Sequence, residues 1–243
     1  MTTLNISERI QKLKKVPAFS EAQETSLKAI AEACNEVKLS QGQTLLRAGV
    51  IESHAFLLLE GSLRLLTKEP FSQELFTVGR IGANELIGIV SLLRQGPCDS
   101  AIARQPCILL SIPLKLLLEK FQSDQGLRNG LEKIQSPCEG AVVLSQVMKK
   151  LNPPPANAQT WILEQLNTNK GDGRKLLSSV IHGNENLVGQ ELQEQKLAEL
   201  QQVSKLPLRF FMWRQSESNM LTAANPIDKK ETVNTYTVTN WKP

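Results

Sequence analysis

Apolar positions change period twice along this chain. Leu27, Ile30, Ala31 and Cys34 recur at helical spacing behind Ser20-Glu21-Ala22-Gln23. A hydroxyl residue with Gln three places on is a capping-box pattern, so a helix is predicted over 21–35 with Ser20 as its cap. The preceding "ISERIQKLKKVPAF" predicts a shorter helix ending near Pro17. From Val37 the runs shorten and glycines interrupt them, the pattern of strands and turns. "EVKLSQGQTLLRAG" predicts strands on either side of Gly42 and a stop at Gly49. "HAFLLLEGSLRLLTKE" predicts a hairpin turning at Glu60-Gly61, and "QELFTVGRIGANELIG" a strand followed by turns at Gly79 and Gly82. "SAIARQPCILLSIP" predicts two strands parted by Gln105-Pro106. Pro113 then suits the first turn of a helix through "PLKLLLEKF".

Strands at this spacing imply a sandwich or jelly roll. The fold class is α+β: a mainly-β double-stranded β-helix or jelly roll flanked by helices, followed by a smaller α-containing region. Residues 1–135 are assigned to the β-roll with its helices. Pro153, Pro154 and Pro155 suggest a stiff break, and 136–157 is read as a proline-rich linker, although "GAVVLSQVMKKL" within it has a helical pattern. A small C-terminal domain is expected over 158–225, with "AQTWILEQL" a short helix or strand. "GQELQEQKLAELQQV" is expected to be an amphipathic helix presenting Leu192, Leu197, Leu200 and Val203. Residues 226–243 read as a tail.

Composition narrows the function. Of 243 residues, 41% are hydrophobic and 21% charged, ordinary for a globular protein, and the net charge of +4 is shared evenly between residues 1–121 and the rest. There is no basic stripe, so nucleic-acid binding has no strong signal. Four dispersed cysteines and two histidines, His54 and His182, form no metal-ligand spacing. No metal, no cofactor and no catalytic residue are therefore expected. Ser91, Ser178 and Ser179 lack a G-x-S-x-G frame. Residues 171–175, Gly-Asp-Gly-Arg-Lys, miss the phosphate-loop spacing and read as a surface turn. The basic and aromatic "KLPLRFFMWRQ", 205–215, reads as a partly buried strand with charged flanks. The N-terminus has no apolar signal core and no stretch approaches a membrane span, which predicts a cytoplasmic protein.

One stretch has the form of an anion pocket. In "GIVSLLRQGPCDSA", 88–101, a glycine turn leads into a short apolar helix, a Gly-Pro turn and a strand. Backbone N–H groups of such a helix start can face an anion. The candidate ligand cassette is Gly88, Ile89, Val90, Ser91, Cys98, Asp99, Ser100 and Ala101.

With its opening helices, the Gly42–Gly49 turn and the hairpin "AFLLLEGSLRLL", this order of parts resembles the cyclic-nucleotide-binding domain family. That family includes catabolite-activator-type regulators, cyclic-nucleotide-dependent kinases and gated channels. The resemblance implies that Glu would follow the cassette glycine to bind the ribose, and that Arg would clamp the cyclic phosphate. Those positions hold Ile89 and Asp99; Ser100 still offers a hydroxyl. Losing a charge-assisted hydrogen bond costs about 1.5–3 kcal/mol, and two like charges ~4 Å apart repel by about 4 kcal/mol at an effective dielectric of ~20. Each ~1.4 kcal/mol is tenfold in affinity, so useful binding of cyclic AMP or cyclic GMP is not expected. Three fates remain for the cassette. Arg94 or Arg104 replaces the missing cation; a neutral or cationic ligand uses Asp99 and Ser100; or Ile89, Leu92 and Leu93 plug the former cavity.

The expected role is a non-enzymatic regulatory or interaction module. "ELIGIVSLLRQGPCDSAIA" further resembles the N-terminal regulatory segment of peptidase-containing bacterial ABC exporters. That implies a protein partner such as a transporter core, with placement at the inner face of the membrane through it; a homodimer is also compatible. The alternatives are a small-molecule or cyclic-nucleotide sensor and a catabolite-activator-type transcription regulator, the latter weakened because no basic recognition helix follows the roll.

Overall fold

Asn5 opens the first helix, α1 (Ile6–Lys14), with a reciprocal cap. Its side chain accepts from the Glu8 N–H at 3.0 Å and the Glu8 carboxylate accepts from the Asn5 N–H at 2.7 Å. The structure, a computed structural model, describes residues 4–168 and 173–213. The second helix, α2 (Glu24–Ala33), starts later than its Ser20 signal predicts. Ser20 belongs instead to the 3-10 turn Pro17–Phe19, where its hydroxyl donates to the Pro17 carbonyl at 2.8 Å. The backbone N–H before α2, on Gln23, donates to Asp124 Oδ2 at 2.9 Å, a partner 101 residues away.

Eight short strands follow: β1 (Asn35–Leu39), β2 (Thr44–Leu46), β3 (His54–Glu60), β4 (Leu63–Lys68), β5 (Leu75–Ile81), β6 (Leu86–Ile87), β7 (Ala101–Ala103) and β8 (Cys107–Pro113). Helix α3 (Ile89–Leu93) stands between β6 and β7. The strands form two antiparallel four-stranded sheets, ordered β1-β8-β3-β6 and β2-β7-β4-β5. Register places Leu57 opposite Leu110 and Leu58 opposite Leu109. With Leu63 and Leu65 these are fully buried in the shared core, each worth about 1.5–3 kcal/mol in burial. The α+β jelly roll read from the sequence is the observed architecture.

Helices α4 (Leu114–Ser123) and α5 (Gln125–Glu132) close the roll. The next helix, α6 (Pro137–Met148), lies inside the stretch read as a linker. Ser136 caps it, accepting from the Cys138 N–H at 3.2 Å, and Pro137 occupies its first turn. The proline therefore marks a helix start there. Ten of its twelve residues are buried, and it packs on β4 and β5. It also meets α7 (Ala158–Thr168) and β10 (Phe210–Trp213), and β10 pairs antiparallel with β9 (Arg174–Leu177). Trp161, Ile162, Leu166, Phe211 and Trp213 join the same apolar core as the roll.

The last helix among the described residues is α8 (Glu194–Val203). Of its expected face only Leu200 is fully buried, and Val203 is 65% exposed. The strand expected within 205–215 is β10, with residues 214 and 215 beyond the described part. Gly171, Asp172 and the expected tail, 226–243, also lie outside the described residues.

Candidate functional site

The cassette is assembled by a glycine and a serine. Gly88 takes φ +93°, and a Cβ there would stand 3.2 Å from the His54 carbonyl oxygen. Glycine is thus required both by conformation and by the close approach of β3. The turn starts α3, which buries Ile89, Val90, Ser91 and Leu93. The Ser91 hydroxyl oxygen then accepts from the N–H groups of Cys98 and Asp99, at 3.1 and 3.2 Å. That pair of bonds folds the Gly-Pro turn back over α3 and fixes Asp99. Beyond it, the Ser100 hydroxyl donates to the Leu46 carbonyl at 3.3 Å, and Ala101 begins β7.

Asp99 is 2% exposed. Its Oδ1 accepts from the Ser136 hydroxyl at 2.7 Å and from the Cys98 thiol at 3.5 Å. Its Oδ2 is buried with no hydrogen-bond partner among the described residues. Burial pushes the Asp99 carboxyl upward against the opposing pull of the Ser136 bond. Burial likewise pushes the neighbouring Cys138 thiol up to about 12 and the Cys98 thiol well above its usual range. Both cysteines therefore remain thiols at neutral pH and have little nucleophilic character.

A cavity of about 640 Å³ lies against this cassette. Leu65, Ile81, Leu86, Ile87 and Val90 form its apolar wall, Asp99 lines it, and residues from 15–21 and 130–137 complete the lining. Ile89, Leu92 and Leu93, the expected plug, are not among the residues that line this cavity. Ile89 and Leu93 are buried in the core, Leu92 is half-buried, and the cavity persists with Val90 on its wall.

Neither candidate cation reaches the site. Arg94 is 1% exposed and its guanidinium is spent elsewhere. It donates to the carbonyls of Gly96, Pro97 and Ser178 at 3.2, 3.0 and 3.0 Å, and to the Ser178 hydroxyl at 3.3 Å. Arg104 is exposed and is not part of the cavity wall. His54 bonds Ser53 and His182 stands in solvent near Glu185, far apart in the chain. No group of three metal-ligating side chains gathers among the described residues.

A second polar cluster joins the cassette to the C-terminal sheet. The Ser178 hydroxyl donates to Glu139 Oε1 at 2.7 Å. Arg209 forks onto Glu139, Nε to Oε1 at 3.0 Å and Nη2 to Oε2 at 2.8 Å. Its remaining donors reach the carbonyls of Glu132 and Ile134. Sequence reasoning did not find Ser136, Glu139 or Arg209. One signal was present: Ser136-Pro137-Cys138-Glu139 has the S-x-x-E form with proline at the first helical position.

The paired antiparallel sheets and the glycine-started cassette between β6 and β7 are the parts of a β-roll. Residues 36–124 match the family model described as "Cyclic nucleotide-binding domain", so the roll is a domain of cyclic-nucleotide-binding fold. The chain is 29% identical over 80 residues to the cAMP-dependent protein kinase type I-alpha regulatory subunit of Mesocricetus auratus. That match covers 31% of this chain and 48% of the relative, so the chain spans about half the length of the curated relative. Among solved structures it is similar to the regulatory domain of Toxoplasma gondii PKA with cAMP (19% identity, 53% of this chain and 48% of that one, TM-score 0.48). It is also similar to the sensor domain of the transcriptional regulator DNR from Pseudomonas aeruginosa (15% identity, 60% and 95%, TM-score 0.47).

Proposed function

We propose that this protein is a non-enzymatic regulatory module whose cyclic-nucleotide-binding fold acts through a protein partner and does not take cyclic AMP or cyclic GMP. The observation that carries this is Asp99. At the position where the resemblance implies the phosphate-clamping Arg stands Asp99, its N–H held by Ser91 and its buried carboxyl group by Ser136, and the residue lines the cavity. An anion entering there meets a like charge, or must hold a proton on Asp99; the cations of the cavity rim, Lys15 and Lys133, are exposed, and the Arg94 guanidinium is bonded to Gly96, Pro97 and Ser178. Ile89, at the sugar-binding position, is in the core and offers no acceptor. The curated relative is the regulatory subunit of a kinase, which supports control of a partner as the role. The cassette's resemblance to the front segment of bacterial exporters favours a transporter core as that partner and a cytoplasmic place beside it. No helix among the described residues is long and apolar enough to cross a membrane.

The test exchanges the two positions. Ile89→Glu with Asp99→Arg supplies the family's sugar acceptor and phosphate cation beside an existing cavity. Calorimetry is expected to show cyclic AMP binding in the double variant and none in the parent. Binding by the parent, or silence of a folded double variant, contradicts the assignment of Asp99 as the excluding group.

A further inference from the structure

We propose that β5, an edge of the second sheet, takes up an extended segment of a protein partner as an added strand, one with carboxylates at alternate positions and apolar residues between them. This rests on the reading that the protein acts through a protein partner, and adds the surface and the chemistry it recognises. Strand β5 ends the order β2-β7-β4-β5 and pairs with β4 alone. Among the described residues, the backbone of 75–81 makes no hydrogen bond outside that ladder. An edge seven residues long therefore carries unpaired donors and acceptors, the template on which a further strand forms.

Charge sets the sign of the partner. Arg64 on β4 stands directly opposite Arg80 on β5, and like charges so placed destabilise a sheet. The row across the sheet at that level is Thr44, Ile102, Arg64 and Arg80, with no carboxylate in it. Arg64 is exposed and donates to the Thr77 hydroxyl at 3.0 and 2.6 Å, and Arg80 is half-buried. Exposed Lys68, opposite Leu75, adds a third cation. None of the three enters an ion pair among the described residues. The acids of the intervening turn do not neutralise them. Glu69 accepts from the Phe71 N–H at 2.8 Å and from the Ser72 N–H, and Glu74 is exposed without an ion pair among the described residues. Helix α6 lies on the other face. A Cβ at Gly79 would stand 3.2 Å from Pro137 at the start of α6, and side chains alternate between faces from Gly79 to Arg80. On an added strand, alternate carboxylates lie beside the cations, and the apolar residues between them turn to the face where Phe76 and Val78 are buried. Phe71 and Leu75, 54% and 50% exposed, extend the apolar contact at the hairpin tip. A second copy of this chain would bring the same cations to a shared face, so the occupant is a different, acidic segment.

The experiment is calorimetric titration of the full chain with a terminally blocked peptide of alternating glutamate and valine, about eight residues long to match β5. Its lysine–valine counterpart, its fully N-methylated form, an oligothymidylate and cyclic AMP are titrated alongside. The acidic peptide is expected to bind at least about tenfold more tightly than the basic one, and more weakly as salt rises. The N-methylated form keeps every charge but no backbone donor, and is expected to lose binding. Arg64→Glu with Arg80→Glu is expected to abolish or invert the preference for acid. Should that double variant not fold, the peptide ratios in the parent chain still decide. No saturable binding of the acidic peptide into the millimolar range overturns the proposal, as does equal affinity for the basic or the N-methylated form. A preference that survives in the folded double variant also overturns it, because the peptide then sits elsewhere. Tighter binding of the oligothymidylate overturns it in favour of nucleic acid. Micromolar cyclic AMP binding defeats the proposed function itself; silence of the peptides with a flat cyclic AMP trace defeats only the assignment of β5.

Discussion

Replacing Arg209 by alanine removes a guanidinium that makes four hydrogen bonds in a place where little water can substitute. The Arg209 and Glu139 side chains are 10% and 4% exposed. In the variant Glu139 keeps only the Ser178 hydroxyl, and the carbonyls of Glu132 and Ile134 each lose a donor. Breaking a buried ion pair by removing one partner costs about 3–5 kcal/mol. Arg209 lies towards the surface, so the lower end, about 3 kcal/mol, is the expected loss. For a chain of this size 1 kcal/mol moves the melting temperature by about 2–4 °C, so the transition falls by about 6–12 °C. Differential scanning calorimetry and urea denaturation measure this directly. Because β10 and α6 share one core with the roll, a single cooperative transition is expected to shift as a whole. Glu139→Gln in the Arg209→Ala background should recover part of the loss, since it removes the buried charge left without its partner. A loss below about 1 kcal/mol would refute the argument. So would two separate transitions of which only one moves: β9 and β10 would then be a peripheral unit, and the expected division at 158 would hold.

Two further outcomes follow from the same packing. The folded-state carboxyl of Asp99 is raised above its ordinary value of 3.8. Its contribution to stability is therefore full below that value and is lost as pH rises through the higher folded-state value. Relative to Asp99→Asn, the parent chain should lose stability as pH rises above about 3.8. A difference that does not change with pH, followed by urea denaturation, would show that Asp99 does not titrate in the fold. On α5, a Cβ at Gly130 would stand 2.1 Å from the Ala18 carbonyl oxygen, at the edge of the cavity. Gly130→Ala should force the helix and the 3-10 turn apart and cost about 1–3 kcal/mol; an unchanged melting temperature would mean that the two segments separate freely.

The roll was legible because its signals are local. Alternation in "HAFLLLE" and "LRLLTK", with Gly61 between them, marks β3, β4 and their turn without reference to the rest of the chain. The position of Asp99 was legible for the same reason, since Gly88 and the Gly-Pro turn frame it. What closes the site was not. Ser136 meets Asp99 across 37 residues and Arg94 meets Ser178 across 84, and no periodicity encodes a pairing over such distances. Proline also misled. Pro137 belongs to a helix start, while Pro153, Pro154 and Pro155 drew attention to a break further on, and the whole of 136–157 was read from the latter. At Ser20 two local structures competed, and the short bond to Pro17 prevailed over the capping box. The cavity beside Val90 was not legible, because apolar letters at 89, 90, 92 and 93 do not say which of them line it.

If a carboxyl group at position 99 shuts the pocket to a cyclic phosphate, the unaltered chain takes up no cyclic AMP. Titrating cyclic AMP into the unaltered chain in a calorimeter asks this without mutation or partner. The expected trace is flat, with no saturable heat into the millimolar range; a sigmoid with a micromolar midpoint would contradict it.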